Sequence, residues 1–301
     1  MWLSKPSDCR ERRAAILRTD LHVHTHFSDD GDYAPNHILS LAAERGIDTL
    51  AFCDHDSVKT YEKPSTRRHH SVSIVVGVEL CSVWINMEAH SLAYGFDPQG
   101  SPMQTLLRTL KSHRRQQTKK RLLCLQSAGF KLGRANLNGK RPAKTLTTLL
   151  QENPGNSRLA KYLPAENPDW ESFYQDYLAP GCPAHVPITG LSPHHLVDII
   201  KQLGAVSVLA HPGALLKFSS NKQIISLIGS LARNGLVGIE AYTSWHSHSQ
   251  ASDFTKLANN LGLAVTVGSD FHGPICKPEV QLGDPEEVPP CVHQMARNIA
   301  L

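Results

Sequence analysis

One unit recurs along the chain: a helical stretch closing on glycine, a short continuous apolar run, and polar residues where that run ends. It is read in LAAERG-IDTLAF-CDHD, IIKQLG-AVSVLA-HPG, LARNG-LVGIEA-YTSWH and LANNLG-LAVTVG-SDFH. Glycine suits the left-handed cap at a helix C-terminus. The runs after it are aliphatic and β-branched without alternation, the pattern of strands buried on both faces. RTDLHVHTH and SVSIVVGVEL extend the series at its start. Strands alternating with helices predict parallel βα units. The polar residues then fall at the carboxyl ends of the strands, the face that carries the site in a β/α barrel and in an open doubly wound sheet alike. Spacing alone leaves both architectures standing.

From about Pro98 to Gly190 the rhythm stops. Residues 103–128 read as one long helix bearing Arg108, Lys111, Arg114, Arg115, Lys119, Lys120 and Arg121, and shorter helical stretches follow. The chain therefore divides into a barrel domain, 18–98 and 191–301, and a helical insertion, 99–190, expected to cover the mouth of the site. Ser192 followed by Pro193 is a helix start where the rhythm resumes. Residues 1–17 read as a basic N-terminal extension.

Composition narrows the classes. With 301 residues and 41% apolar side chains the chain can bury a large core. Lys and Arg total 31 against 27 Asp and Glu, a mild excess that tolerates an anionic substrate but falls short of a dedicated nucleic-acid binder. No apolar run of about 18 residues occurs, and no apolar segment follows the basic N-terminus, so a cytoplasmic protein without a membrane partner or signal peptide is expected. The seven cysteines include no CxxC pair, which argues against a disulfide framework or a cysteine zinc site and fits a reducing compartment. Histidine, with 17 copies, is the outlier, and it is the commonest metal ligand.

Position gives those histidines meaning. His22 and His24 are two apart on a strand, so both rings share one face; Asp29 follows in the loop, with His26 and Asp30 flanking. Asp54, His55 and Asp56 close the second strand, where Asp is also an ordinary cap and turn residue. Glu79 ends a very apolar run, a costly place for a carboxylate unless it is paired or metal-bound. His90 opens the strand HSLAYGFD, His211 follows VLA, and Asp270 and His272 repeat the two-residue spacing of the first pair. Each alone is also a polar residue at a strand end. Independent accidents would scatter over both ends, whereas these gather at one. A His/Asp/Glu set of this size exceeds the needs of one metal ion and suits Mn²⁺, Fe²⁺ or Zn²⁺ in a hydrolytic site.

Taken in order, DLHVHTHFSDDG, FCDHD, GVEL, HSLAYGFD, LAHPG, GIEAY and GSDFHG resemble the motifs of the polymerase-and-histidinol-phosphatase (PHP) superfamily. More narrowly they resemble its nucleoside 3′,5′-bisphosphate phosphatases and 5′→3′ exoribonucleases. The resemblance spans residues 19–98 and 191–275, and reaches the insertion mainly through YLAPGCPAHVP. It implies an α/β fold, a distorted (β/α)7 TIM-like barrel, with up to three divalent metal ions, manganese foremost and iron or zinc as alternatives. By motif, His22, His24, Glu79 and Asp270 would hold the first ion, Asp29, His55 and His272 the second, and Glu79, His90 and His211 the third. It also implies phosphate-ester hydrolysis through a metal-bridged hydroxide, on a small phosphorylated nucleotide or the 5′ end of a short RNA, with free phosphate as product. His246, with His248 as a nearby competitor, and Arg158 are the expected phosphate-handling residues. Cys182 and His185 stand where relatives carry Lys and Tyr, which bears on substrate preference. The basic helix is read either as a guide for a polyanion or as a solvated face. An amidohydrolase, which also uses His-x-His at a barrel mouth, and a non-catalytic metal-stabilised scaffold are the rival readings.

Overall fold

The computed structural model describes residues 18–62, 71–131, 153, 155–156, 161–162, 170–285 and 287–300. Seven strands form one sheet in sequence order: β1 (Arg18–Val23), β2 (Ile47–Phe52), β3 (Ser73–Trp84), β4 (Met87–Tyr94), β5 (Val206–Leu209), β6 (Gly238–Tyr242) and β7 (Ala264–Val267). The expected basic extension, 1–17, lies outside the described residues.

The parallel βα reading holds for most of the sheet. β1, β2 and β3 pair in parallel, as do β5, β6 and β7. β4 is the exception: it runs antiparallel to both β3 and β5. A two-residue turn, Ile85–Asn86, joins β3 to β4 and leaves no room for a crossover helix. Both residues have positive φ, 48° and 62°, the backbone of a type I′ hairpin. Beyond β7, Asp270 N donates to His22 O and His24 N to Phe271 O, each at 2.8 Å. The sheet thus curls into a distorted barrel whose last strand returns to the first at one end.

Helices pack the outer face: α1 (Pro35–Glu44), the long α2 (Ser101–Ser127), a short α3 (Trp170–Phe173) running into a π-turn, α4 (Pro193–Gln202), α5 (Asn221–Asn234), α6 (His248–Leu261) and α7 (Pro290–Ala300). Ser220 with Gln223 and Ser247 with Gln250 close capping boxes at the starts of α5 and α6, satisfying backbone donors that would otherwise lack partners. Gly235 and Gly262 end the same helices at φ 104° and 68°, so the helix–glycine–strand rhythm is a set of left-handed caps feeding buried strands. Apolar side chains of β4–β7 pack with α4–α7, and those of β1–β4 with α1, α2 and α4. A separate small cluster, Leu125, Phe130, Tyr162, Phe173, Leu178 and Ala184, joins the end of α2 to the segment before α4. Among the described residues no helix is long and apolar enough to cross a membrane.

Candidate metal centre

β1, β2 and β3 point their carboxyl ends the same way, and β4, running in reverse, begins where β3 ends. His90, early in β4, therefore meets the residues at the other strands' carboxyl ends. Glu79 is the hub and is fully buried. Its Oε2 lies 2.7 Å from His55 Nδ1, 3.3 Å from His24 Nε2 and 3.5 Å from His22 Nε2. Its Oε1 lies 2.8 Å from His90 Nδ1 and 3.0 Å from His211 Nε2. Asp270 Oδ1 stands 3.1 Å from His24 Nε2 and 3.3 Å from His22 Nε2. Residues from four separate stretches of chain thus meet around one carboxylate, and a fifth brings Asp270 against two of its histidines.

The hydrogen bonds settle which ring nitrogens face inward. A carboxylate or carbonyl only accepts, so the 2.9 Å contact of His22 Nδ1 with Glu240 Oε1 puts a proton on Nδ1 and turns Nε2 toward the other donors. His272 Nδ1 donates to Asp270 O at 2.8 Å with the same result. His24 Nδ1 meets Ser28 Oγ at 3.0 Å, and that oxygen also accepts from His55 N. The Nε2 atoms of His22 and His24 face each other at 3.1 Å.

Burial pushes His22, His24 and His90 down, but the carboxylates facing them outweigh it and raise all three above the usual imidazole range. Burial pushes Glu79 up, but His55, His90 and His22 outweigh it and hold the carboxyl well below the usual range. Burial likewise opposes ionisation of Asp270, yet His22 and His272 hold it well below the usual range. Burial, with His24 alongside, pushes His272 down to about 4, leaving its ring neutral and able to donate a lone pair. Glu79 Oε2 and Asp270 Oδ1 are buried and make no hydrogen bond. Orphaned carboxylate oxygens ringed by imidazole nitrogens are the surroundings a divalent cation satisfies. Among the described residues the donor atoms fall into groups lying within 4.8 Å of one another: His22, Glu79, His211 and Asp270; His24, Asp30, His55 and His272; and His55, Cys81 and His90.

One expected residue is replaced by its neighbour. Asp30, not Asp29, reaches the second group, with its Oδ2 3.6 Å from His272 Nε2 and 3.7 Å from His55 Nε2. Asp29 is not a member of that group. Adjacent aspartates in a turn cannot be ranked by spacing alone. His246 also departs from expectation: Nδ1 donates to Ala241 O and Nε2 accepts from Gly213 N, both at 2.8 Å. Both nitrogens are thus spent on backbone, and burial lowers the ring to about 4. This ring ties the end of β6 to the loop after His211. His248 is exposed near Glu287. His185 donates to Leu178 O and Cys182 lies against Gln175 O. Arg158 lies outside the described residues.

Several site residues escaped the sequence reading. Glu240 accepts from His22 Nδ1 through one oxygen and from His211 N, 2.9 Å away, through the other. A carboxylate inside the apolar run LVGIEA carries the same signal that singled out Glu79. Trp245 Nε1 and Lys277 Nζ both donate to Asp270 Oδ2, at 2.6 and 2.7 Å, and nothing in the local sequence marks either. From α2, Arg114 pairs with Asp56 and reaches Cys81 Sγ at 3.2 Å.

Backbone strain concentrates here too. His211, Asp270 and Asp56 all have positive φ, 22°, 55° and 46°, a conformation costly for these residues and typical of functional sites.

A barrel whose strand ends gather buried histidines around shared carboxylates is the site of a metal-dependent hydrolase. The PHP domain model matches residues 20–175, and the chain belongs to that family of metal-dependent phosphoesterases. The 3′,5′-nucleoside bisphosphate phosphatase of Chromobacterium violaceum is 26% identical over 288 residues, covering 94% of this chain and 97% of the relative. The 5′-3′ exoribonuclease Rnm of Salmonella typhimurium is 27% identical over 272 residues, covering 88% and 87%. A solved structure from Chromobacterium violaceum, described as an amidohydrolase with bound sulfate and no metal, superposes with a TM-score of 0.75 at 26% identity, covering 94% of this chain and 95% of that one.

Proposed function

We propose that this protein hydrolyses a phosphate ester of a nucleotide, either a nucleoside 3′,5′-bisphosphate or the 5′ end of a short RNA, and releases free phosphate. The observation that carries the reading is the buried Glu79 carboxylate, whose two oxygens face five histidines from four parts of the chain. His22, His24, Glu79 and Asp270 would hold one divalent cation, and Asp30, His55 and His272 another. Glu79, His90 and His211 would hold a third. Manganese, iron and zinc all suit oxygen and imidazole donors. Such ions supply positive charge for the phosphate oxygens and a water acidic enough to attack at neutral pH.

The chain's own residues orient this set. Glu240 fixes the His22 tautomer and the His211 backbone together. Trp245 and Lys277 hold one oxygen of Asp270 and leave the other facing the histidines. His246 is a positioning residue that anchors the Gly213 turn, and Arg158 is the candidate for a charged contact to phosphate. The relatives favour a phosphate ester, while the description of the solved neighbour keeps an amide substrate in the test. The test is a screen with added Mn²⁺ across nucleoside bisphosphates, short 5′-phosphorylated RNAs, histidinol phosphate and amide substrates. Phosphate release from the nucleotide members is expected. Amide cleavage without phosphate release would overturn the reading.

A further inference from the structure

The sequence offers no cysteine motif, yet the fold aims one thiol at the metal centre. Cys81 follows Glu79 by two residues on β3, so the two side chains share a face. The antiparallel register then sets Cys81 directly opposite His90. Its sulfur joins one ring nitrogen of His55 and one of His90 in a group whose donor atoms lie within 4.8 Å of one another. No other cysteine among the described residues enters such a group. A second observation points the same way. Glu79 is fully buried, its Oε2 makes no hydrogen bond, and its two oxygens lie 2.7 Å from His55 Nδ1 and 2.8 Å from His90 Nδ1. The carboxylate therefore spans the two histidines that flank the sulfur. On the outer side, Arg114 Nη2, which also pairs with Asp56, lies 3.2 Å from Sγ.

We propose that Cys81 is a metal ligand that joins His90 at the third cation position, beside His55, and makes that position a site for a thiophilic divalent cation of the zinc or cobalt class. The inference rests on the metal-centre reading above and changes its chemistry. A thiolate donor turns this position away from magnesium and manganese, which prefer oxygen, and toward zinc or cobalt. Binding is an exchange without redox: the S–H bond breaks, its proton passes to solvent, and a sulfur–metal bond forms.

The test is cobalt loading of the full-length protein, with absorption spectra and metal content read on the same samples. Wild type and Cys276→Ser show a near-ultraviolet sulfur-to-cobalt charge-transfer band. Cys81→Ser loses that band while cobalt held by nitrogen and oxygen donors stays bound. A band unchanged in Cys81→Ser overturns the proposal. Wild type that takes up cobalt without the band overturns it too and leaves the metal centre standing. Wild type that takes up no cobalt removes both readings. Should the serine variant fail to fold, zinc-edge X-ray absorption on unmodified protein decides: a sulfur scatterer at about 2.3 Å is expected, and its absence overturns the assignment.

Discussion

Glu240 is not one of the inner donors, yet it sets the geometry of two of them. It is fully buried between His22 Nδ1 and the His211 backbone. Outer partners of this kind are worth about 10- to 100-fold in metal affinity. Glu240→Gln, nearly the same size, keeps the fold and weakens metal binding by roughly that factor in a chelator competition. Unchanged affinity would show that His22 needs no such orientation. His246 gives a prediction of a different kind. In the unfolded chain its ring takes up a proton near 6.5, and in the fold only near 4. Between those values the unfolded state binds more protons, so this share of stability is complete above about 6.5 and is lost as the pH falls toward 4. His246→Gln should flatten the acid limb of stability against pH by roughly one proton. Urea titrations of both proteins across that range check it, and parallel limbs would mean that the ring is not held neutral.

At the scale of the element, the strand ends do the positioning and the turns set the angles. The Ile85–Asn86 turn sends β4 back along β3 and so brings His90 to Glu79. Ile85 holds φ 48° and is 54% exposed, an unfavourable backbone for a β-branched residue that buries little in return. Ile85→Asn should raise unfolding stability by about 1 kcal/mol, read from the denaturation midpoint; a loss would mean that the turn is not strained. Much of this layer was legible in the sequence. The glycine–strand rhythm marks β2, β5, β6 and β7, and the polar residues after them mark the site end. The reversal of β4 was not, because a hairpin with Ile-Asn lacks the usual glycine signal. Nor was Cys81, since a cross-strand partner depends on register. Asp30 outranks Asp29 only through the turn's conformation. Trp245 and Lys277 reach Asp270 across loops that no periodicity describes.

At the scale of the whole molecule, the basic side of α2 faces solvent. Arg108, Lys111, Arg115, Lys119 and Lys120 are exposed, whereas Arg114 turns inward to Asp56. If the exposed row guides RNA toward the strand ends, hydrolysis of a 5′-phosphorylated RNA falls steeply with salt while that of a mononucleotide does not. Equal salt slopes would leave α2 as a solvated face. Beneath any choice of substrate lies the convergence on Glu79, and metal analysis reads it most directly. Purified wild type dialysed against manganese or zinc should retain more than one equivalent of metal, and Glu79→Gln should lose most of it with an unchanged far-ultraviolet circular dichroism spectrum. Equal metal content in the two proteins, or none in wild type, would contradict a shared centre.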